Sequence, residues 1–256
     1  MVGKYLRAGR NWGHVAARAA WYGTISCSLG GLPGGHPISQ WCMRKWSAGS
    51  ADALNIQRSL RGAENLALAP QAVLVANHLS SLDILVLGSY LKRDYRWLAK
   101  ASLFKVPFSG WHLKFAGHVP VYRGDDRAKN QDIAARIHAV VEEGASLLFF
   151  PEGTRSEDGR LKPFKIGAFM TAVEEGLPVL PLVVRGTHEL MKKNAIDLEI
   201  RTDRACSVTV LPPVAVPVGG DHKARAEALR DRTWEVMAAE LGGAPGATPV
   251  AADASS

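Results

Sequence analysis

From about residue 70 the chain alternates short apolar runs with stretches of helical periodicity, and that alternation restricts the fold more than any other feature. Val73-Leu74-Val75-Ala76, Trp97-Leu98-Ala99, Val119-Pro120-Val121-Tyr122, Ser146 to Phe150, Val179 to Arg185 and Val208-Thr209-Val210-Leu211 read as strands. Ser81 to Leu91, Asp126 to Gly144, Phe164 to Glu175 and Asp221 to Leu241 read as helices, with Ile133, Ile137, Val140 and Val141 sharing one face of the second. Apolar strands separated by helices predict an α/β domain with a mostly parallel central sheet flanked by helices.

The N-terminal segment has a different character. Residues 4–22 fit a helix, with Trp12, Val15, Ala16, Ala19 and Tyr22 on one side and Arg7, Asn11, His14 and Arg18 on another. Gly30-Gly31-Leu32-Pro33-Gly34-Gly35 ends it, and a second short amphipathic helix is expected over about 37–47. Residues 1–50 contain no Asp or Glu, carry Lys4, Arg7, Arg10, Arg18, Arg44 and Lys45, and hold Trp12, Trp21, Trp41 and Trp46. Cations and indoles together suit a lipid–water interface, where rings sit at headgroup depth and cations meet phosphates. The same two helices could instead pack on the main domain. His14, Arg18 and several glycines interrupt the apolar run, so a transmembrane span is not expected, and no signal-peptide cleavage site follows it. The expected organisation is therefore 1–50 as amphipathic membrane-associating helices, 51–241 as the α/β domain and 242–256 as a disordered tail rich in Ala, Pro, Ser and Gly.

The formal net charge of +7 favours an anionic partner. Nucleic acid is disfavoured, because the chain shows neither stacking platforms nor a recognisable nucleic-acid fold. Cys27, Cys42 and Cys206 lack CxxC or zinc-finger spacing, which suits a reducing compartment and excludes a disulfide framework.

Two segments carry chemistry. His78 follows a strand and precedes a helix, placing it at the carboxyl edge of the sheet where α/β proteins build sites. Asp83, five positions on, can curl back onto one imidazole nitrogen and leave the other for a substrate proton. An alternative stands beside this reading: Ser80-Ser81-Leu82-Asp83 also fits a capping box, which would make Asp83 a cap and His78 an edge residue. The second segment, Phe150-Pro151-Glu152-Gly153-Thr154-Arg155-Ser156, leaves another strand through a Gly-containing turn. Its N–H groups and Arg155 can meet an anion, or it is an ordinary exit turn with a surface ion pair. Lys100, Arg123 and Lys165 are further cations near strand or turn ends. No Gly-x-Ser-x-Gly elbow, no Gly-x4-Gly-Lys-Ser/Thr loop and no metal-ligand spacing among the histidines is present.

With these segments in view, the chain resembles the 1-acyl-glycerol-3-phosphate acyltransferases, the PlsC-like lysophosphatidate acyltransferases, over about 70–215. Asn77-His78-x4-Asp83 is similar to the family's first block, the HX4D motif, and Gly117-His118-Val119-Pro120-Val121-Tyr122-Arg123 to its second. Phe150 to Ser156 is similar to the third and Val179-Leu180-Pro181-Leu182-Val183 to the fourth. The resemblance implies transfer of a fatty acyl group from acyl-CoA or acyl carrier protein to the sn-2 hydroxyl of a lysophospholipid, forming phosphatidic acid. His78 would be general base and Asp83 its orienter. Glu152, Gly153, Thr154, Arg155, Arg123 and Lys100 would hold the glycerol-phosphate end, and Pro181 would shape the acyl site. Neither an acyl-enzyme, a metal nor another cofactor is implied. The expected location is the cytoplasmic face of the cell membrane, on an anionic surface. Another lysolipid acceptor such as lyso-ornithine lipid, or a non-catalytic lipid-binding role, is the alternative.

Overall fold

The computed structural model describes residues 2–30, 32, 36–122, 124–156, 158–191 and 200–242. Two helices lead, α1 (Val2–Leu29) and α2 (His36–Ala53), followed by β1 (Gln57–Arg61), α3 (Asn65–Leu68) and β2 (Val73–Ala76). Then come α4 (Asp83–Tyr90), β3 (Tyr95–Lys100), a 3-10 turn at Ala101–Lys105, α5 (Ser109–Phe115) and β4 (Val119–Val121). A second 3-10 stretch (Gly124–Asn130) leads to α6 (Ile133–Glu142), β5 (Ser146–Phe149), α7 (Gly167–Glu174) and β6 (Val179–Arg185). The described chain closes with α8 (Thr187–Leu190), β7 (Ala205–Val210) and α9 (His222–Glu240). Within the expected 242–256 tail, residues 243–256 lie outside the described residues.

The strands form one seven-stranded sheet in the order β1-β7-β6-β2-β5-β3-β4, parallel at every pairing except β6 with β7. The mostly parallel sheet expected from the alternation is therefore present. Because β2 and β6 are buried along their whole length or nearly so, their sequences read as unbroken apolar runs. One face carries Leu74, Ala76, Leu148, Leu180, Leu182 and Val184 against α2 and α4. The other carries Val73, Val75, Val179 and Val183 against α7 and α9, and Leu147 and Val119 against α6.

Three differences from the sequence reading have physical causes. β1 is a polar edge strand with alternating exposure, and only its pairing with β7 makes it a strand. The helix expected over Asp126 to Gly144 begins only at Ile133. Asn130 exchanges hydrogen bonds with both backbone groups of Tyr122, at 2.8 and 3.0 Å, and so holds the preceding residues in a tight loop. α2 runs on to Ala53, past the expected boundary at 50, and its Cys42, Met43 and Ala51 are buried. The Gln40 amide donates to the Tyr95 carbonyl at 3.0 Å. The second helix thus helps close the sheet's face. Among the described residues no helix is long and apolar enough to cross a membrane.

Candidate active site

β2 ends at Ala76, and the next residue fixes the strand exit. Asn77 is fully buried, and its amide both donates to the Val184 carbonyl (2.9 Å) and accepts from the Val184 N–H (2.7 Å). One side chain thereby closes the β2–β6 ladder that the departing backbone abandons. His78 follows directly, at the carboxyl edge of the sheet.

The His78 ring has its Nδ1 2.7 Å from Asp83 Oδ2. Its side chain is 20% exposed, whereas Asp83 is fully buried. The same Oδ2 accepts from the backbone N–H of Leu79 (2.8 Å) and of Ser80 (3.0 Å), and Oδ1 accepts from the Thr187 hydroxyl. Asp83 also lies in the first turn of α4, where a helix favours negative charge. These contacts supply what a buried carboxylate needs in place of water. Asp83 gathers the N–H groups of Leu79 and Ser80 and holds the imidazole, but the reciprocal capping box is not closed, because the Ser80 hydroxyl accepts from the Leu82 N–H instead of that of Asp83. Thr187 was not visible as a site residue. It stands 104 positions away and reaches Asp83 only because β6 lies beside β2.

The third block comes from β5, on the other side of β2. Phe150 stacks on the His78 ring with centroids 4.1 Å apart. Glu152 is buried and turned inward, its Oε1 accepting from the His78 N–H (2.8 Å) and its Oε2 from the Lys162 N–H (3.3 Å). The His78 carbonyl in turn accepts from the Ser156 N–H at 2.7 Å. Glu152 and Ser156 therefore grip the backbone of His78 from both sides. Burial pushes the Glu152 carboxyl up to about 7 against those two N–H bonds, which pull it down.

Gly153 takes φ +70, a backbone conformation that favours glycine, and its nearest neighbour is the flexible Lys165 side chain, whose Cε would lie 3.1 Å from an added Cβ. Thr154 is exposed on this turn. Arg155 donates from Nη1 to the Ser81 hydroxyl at 2.8 Å, which sets its guanidinium beside the His78–Asp83 turn. Lys162, not singled out by the sequence, donates from Nζ to the Arg155 carbonyl at 2.9 Å. Lys165 adds an exposed ammonium.

Lys100 is exposed at the end of β3, two strands from β2 and on the same carboxyl edge, so about 10 Å across the sheet. Arg123 lies outside the described residues. His118, in the second block, is buried, and its Nδ1 accepts from the Trp97 N–H at 2.9 Å, tying β3 to the start of β4. Pro181 is buried mid-sheet in β6, level with Val75 of β2, and its carbonyl accepts from the Leu211 N–H at 3.0 Å. The geometry thus brings His78, Asp83, Glu152, Gly153 and Arg155 together, with Thr154 on the same turn, Lys100 farther along the edge and Pro181 inside the sheet.

The chain is similar to known proteins in sequence and in fold. A chloroplastic 1-acyl-sn-glycerol-3-phosphate acyltransferase of Brassica napus is 44% identical over 133 residues, 52% of this chain and 38% of the relative. The enzyme of that name from Chlamydomonas reinhardtii is 35% identical over 193 residues, 75% of this chain and 56% of the relative. That from Salmonella typhimurium is 31% identical over 171 residues, 66% and 68%. The chain thus spans well under two thirds of the first two relatives' length. The crystal structure of the 1-acyl-sn-glycerophosphate (LPA) acyltransferase PlsC from Thermotoga maritima shares the fold, with a TM-score of 0.72 over 93% of this chain and 97% of that one at 22% identity. A family model described as Acyltransferase matches residues 57–185, a stretch running from β1 to the end of β6 that includes His78, Asp83 and the Glu152–Arg155 turn. By that match and by the Salmonella relative, the chain belongs to the acyltransferase family.

Proposed function

We propose that the protein transfers a fatty acyl group from a thioester, acyl-CoA or acyl carrier protein, to the sn-2 hydroxyl of 1-acyl-glycerol-3-phosphate. The product is phosphatidic acid for phospholipid synthesis. The observation that carries this reading is the 2.7 Å contact between His78 Nδ1 and a fully buried Asp83, one strand from the Arg155 turn. With Nδ1 committed to Asp83, Nε2 is the nitrogen left to take a proton. It accepts the proton of the acceptor hydroxyl as that oxygen attacks the thioester carbonyl. The carbon–sulfur bond then breaks, and the imidazolium returns the proton to the departing thiolate. Asp83 stabilises the transient imidazolium and fixes its tautomer. Attack is direct, with no acyl-enzyme and no resident cofactor.

Arg155, with the Gly153–Thr154 turn, Lys100 and Arg123, receives the acceptor's phosphate, and Pro181 stiffens the strand beside the acyl chain. Glu152 serves that site by holding His78 in place. The enzyme attaches peripherally through α1 and α2 to the anionic cytoplasmic face of the cell membrane, where its acceptor resides. The homologues named above, each a 1-acyl-sn-glycerol-3-phosphate acyltransferase, support this choice of acceptor over another lysolipid such as lyso-ornithine lipid.

The test is transfer from labelled acyl-CoA and acyl carrier protein to a panel of lysolipids. His78→Ala is expected to lower kcat by roughly 10²–10⁴, the range a positioned base supplies, while the protein still folds. Wild-type turnover in that variant would sink the mechanism, and a preference for a phosphate-free acceptor would sink the substrate.

A further inference from the structure

The two oxygens of Asp83 are held unequally. Oδ2 meets the His78 ring at 2.7 Å and accepts from the N–H groups of Leu79 and Ser80 at 2.8 and 3.0 Å. Among the described residues Oδ1 has one donor, the Thr187 hydroxyl, and both residues are fully buried. The imbalance matters because a carboxylate turns easily about its last bond, whose torsion has broad wells of roughly two-fold symmetry. Three partners on one oxygen leave the other to select the plane. Without a donor, Oδ1 would swing towards the same N–H groups and carry Oδ2 out of line with the imidazole.

The fold holds Thr187 firmly enough to do this. Asn77 locks β2 to β6 at Val184 with both halves of its amide, so the exits of the two strands stay side by side. β6 ends one residue later, at Arg185. Gly186 then takes φ +80, and an added Cβ would lie 2.5 Å from the Ala205 carbonyl oxygen, so glycine lets the chain turn away close against β7. That turn delivers Thr187 to the first position of α8. Leu190, and Met191 just beyond the helix, are buried in the core cluster that holds Val184 and Val208. The Leu190 carbonyl also accepts from the Arg201 N–H at 3.1 Å. Thr187 therefore sits on an anchored element, and its β-branched side chain is itself stiff about the first torsion.

We propose that Thr187 is a positioning residue of the transfer reaction. Its hydroxyl fixes the plane of the Asp83 carboxylate. The carboxylate then keeps the proton of neutral His78 on Nδ1 and leaves Nε2 open to the acceptor hydroxyl. Fully buried behind Asp83, Thr187 acts only through that carboxylate. The inference rests on the reading that His78 is the general base of acyl transfer.

The experiment compares Thr187→Val, which keeps the shape and removes the hydroxyl, with Thr187→Ser, which keeps the hydroxyl. Transfer from labelled acyl-CoA to 1-acyl-glycerol-3-phosphate in detergent micelles is expected to show kcat about ten- to a hundredfold lower in the valine variant, with acceptor KM within about twofold of wild type. The serine variant is expected to recover most of that loss. NMR of the ring nitrogens, with the His78 signals assigned by their absence from His78→Ala, reads the tautomer without turnover. Wild type and Thr187→Ser are expected to hold the proton on Nδ1, and Thr187→Val to spread it over both nitrogens. An unchanged tautomer in the valine variant overturns the proposal whatever its kcat, and a wild-type kcat does the same. So does a serine variant as impaired as the valine one, since shape and not the hydroxyl would then matter. Circular dichroism checks folding, and Thr187→Ala carries the same comparison if the valine variant does not fold. If the wild type transfers nothing, the acyltransferase reading fails, while the ring tautomers still decide whether Thr187 positions Asp83 and His78.

Discussion

Glu152 shows how a single residue's place differs from its motif's reputation. Its position in the third block suggests a substrate ligand, yet its two oxygens are taken by the backbone N–H groups of His78 and Lys162. Sequence cannot distinguish an inward from an outward carboxylate on a turn; burial decides it, and burial depends on where Lys162 is brought back to the turn. Linkage gives a test. The native carboxyl sits at about 7, above its ordinary 4.5, so the folded state holds a proton that the unfolded state releases. That contribution is fully present below pH 4.5 and is lost as pH rises through 7, a change on the order of 3 kcal/mol. Glu152→Gln removes the titration, so its stability relative to wild type is expected to rise between pH 4.5 and 7. Thermal melts across that range check it, and parallel curves would refute it. The comparison must be between the two proteins, because His112 pulls the other way. Burial lowers its pKa to about 4, so stability falls as pH drops below 6.5 for wild type and variant alike.

At the scale of elements, the buried strands were the most legible part of the sequence. β2, β5 and β6 are covered on both faces, so their apolar runs admit one interpretation. β1, α5 and the 3-10 turns were not legible, because pairing or packing with distant segments creates them. The site divides likewise: His78, Asp83 and Arg155 came from short-range pattern, while Thr187, at the start of α8, and Lys162 come from segments whose positions only the sheet order sets. The packing of α2 on α4 was hidden too. There Gly88 faces Ser47 so closely that an added Cβ would lie 2.3 Å from its Oγ and 2.9 Å from its Cβ. Gly88→Leu is expected to cost about 1–3 kcal/mol through overpacking, measured by denaturant unfolding. A variant as stable as wild type would show that the two helices part easily.

For the molecule as a whole, the +7 charge is distributed to a purpose rather than spread evenly. Residues 1–50 and the 95–124 stretch both lack acids, and they meet along α1 and α5. Attraction to anionic vesicles should therefore weaken as salt shortens the screening length from about 10 Å at 0.1 M to about 3 Å at 1 M. The apolar part of the attachment should persist. Sedimentation with phosphatidylglycerol-containing vesicles over that salt range is expected to show partial, not complete, release; salt-independent binding would mean the cations take no part.

The sheet order has one more consequence, for the order of events in synthesis. β2 lies at the centre, between β5 and β6, yet it emerges from the ribosome long before either neighbour. A wholly apolar strand must wait with both edges open from Ala76 until the chain has reached Ser146 and then Val179. Such a strand is a template for the wrong partner, and pairings this distant in sequence form slowly. The nascent chain is thus at its most aggregation-prone before Arg185 is made, and the histidine side chain can be oriented by Asp83 well before Thr187 arrives to fix that carboxylate.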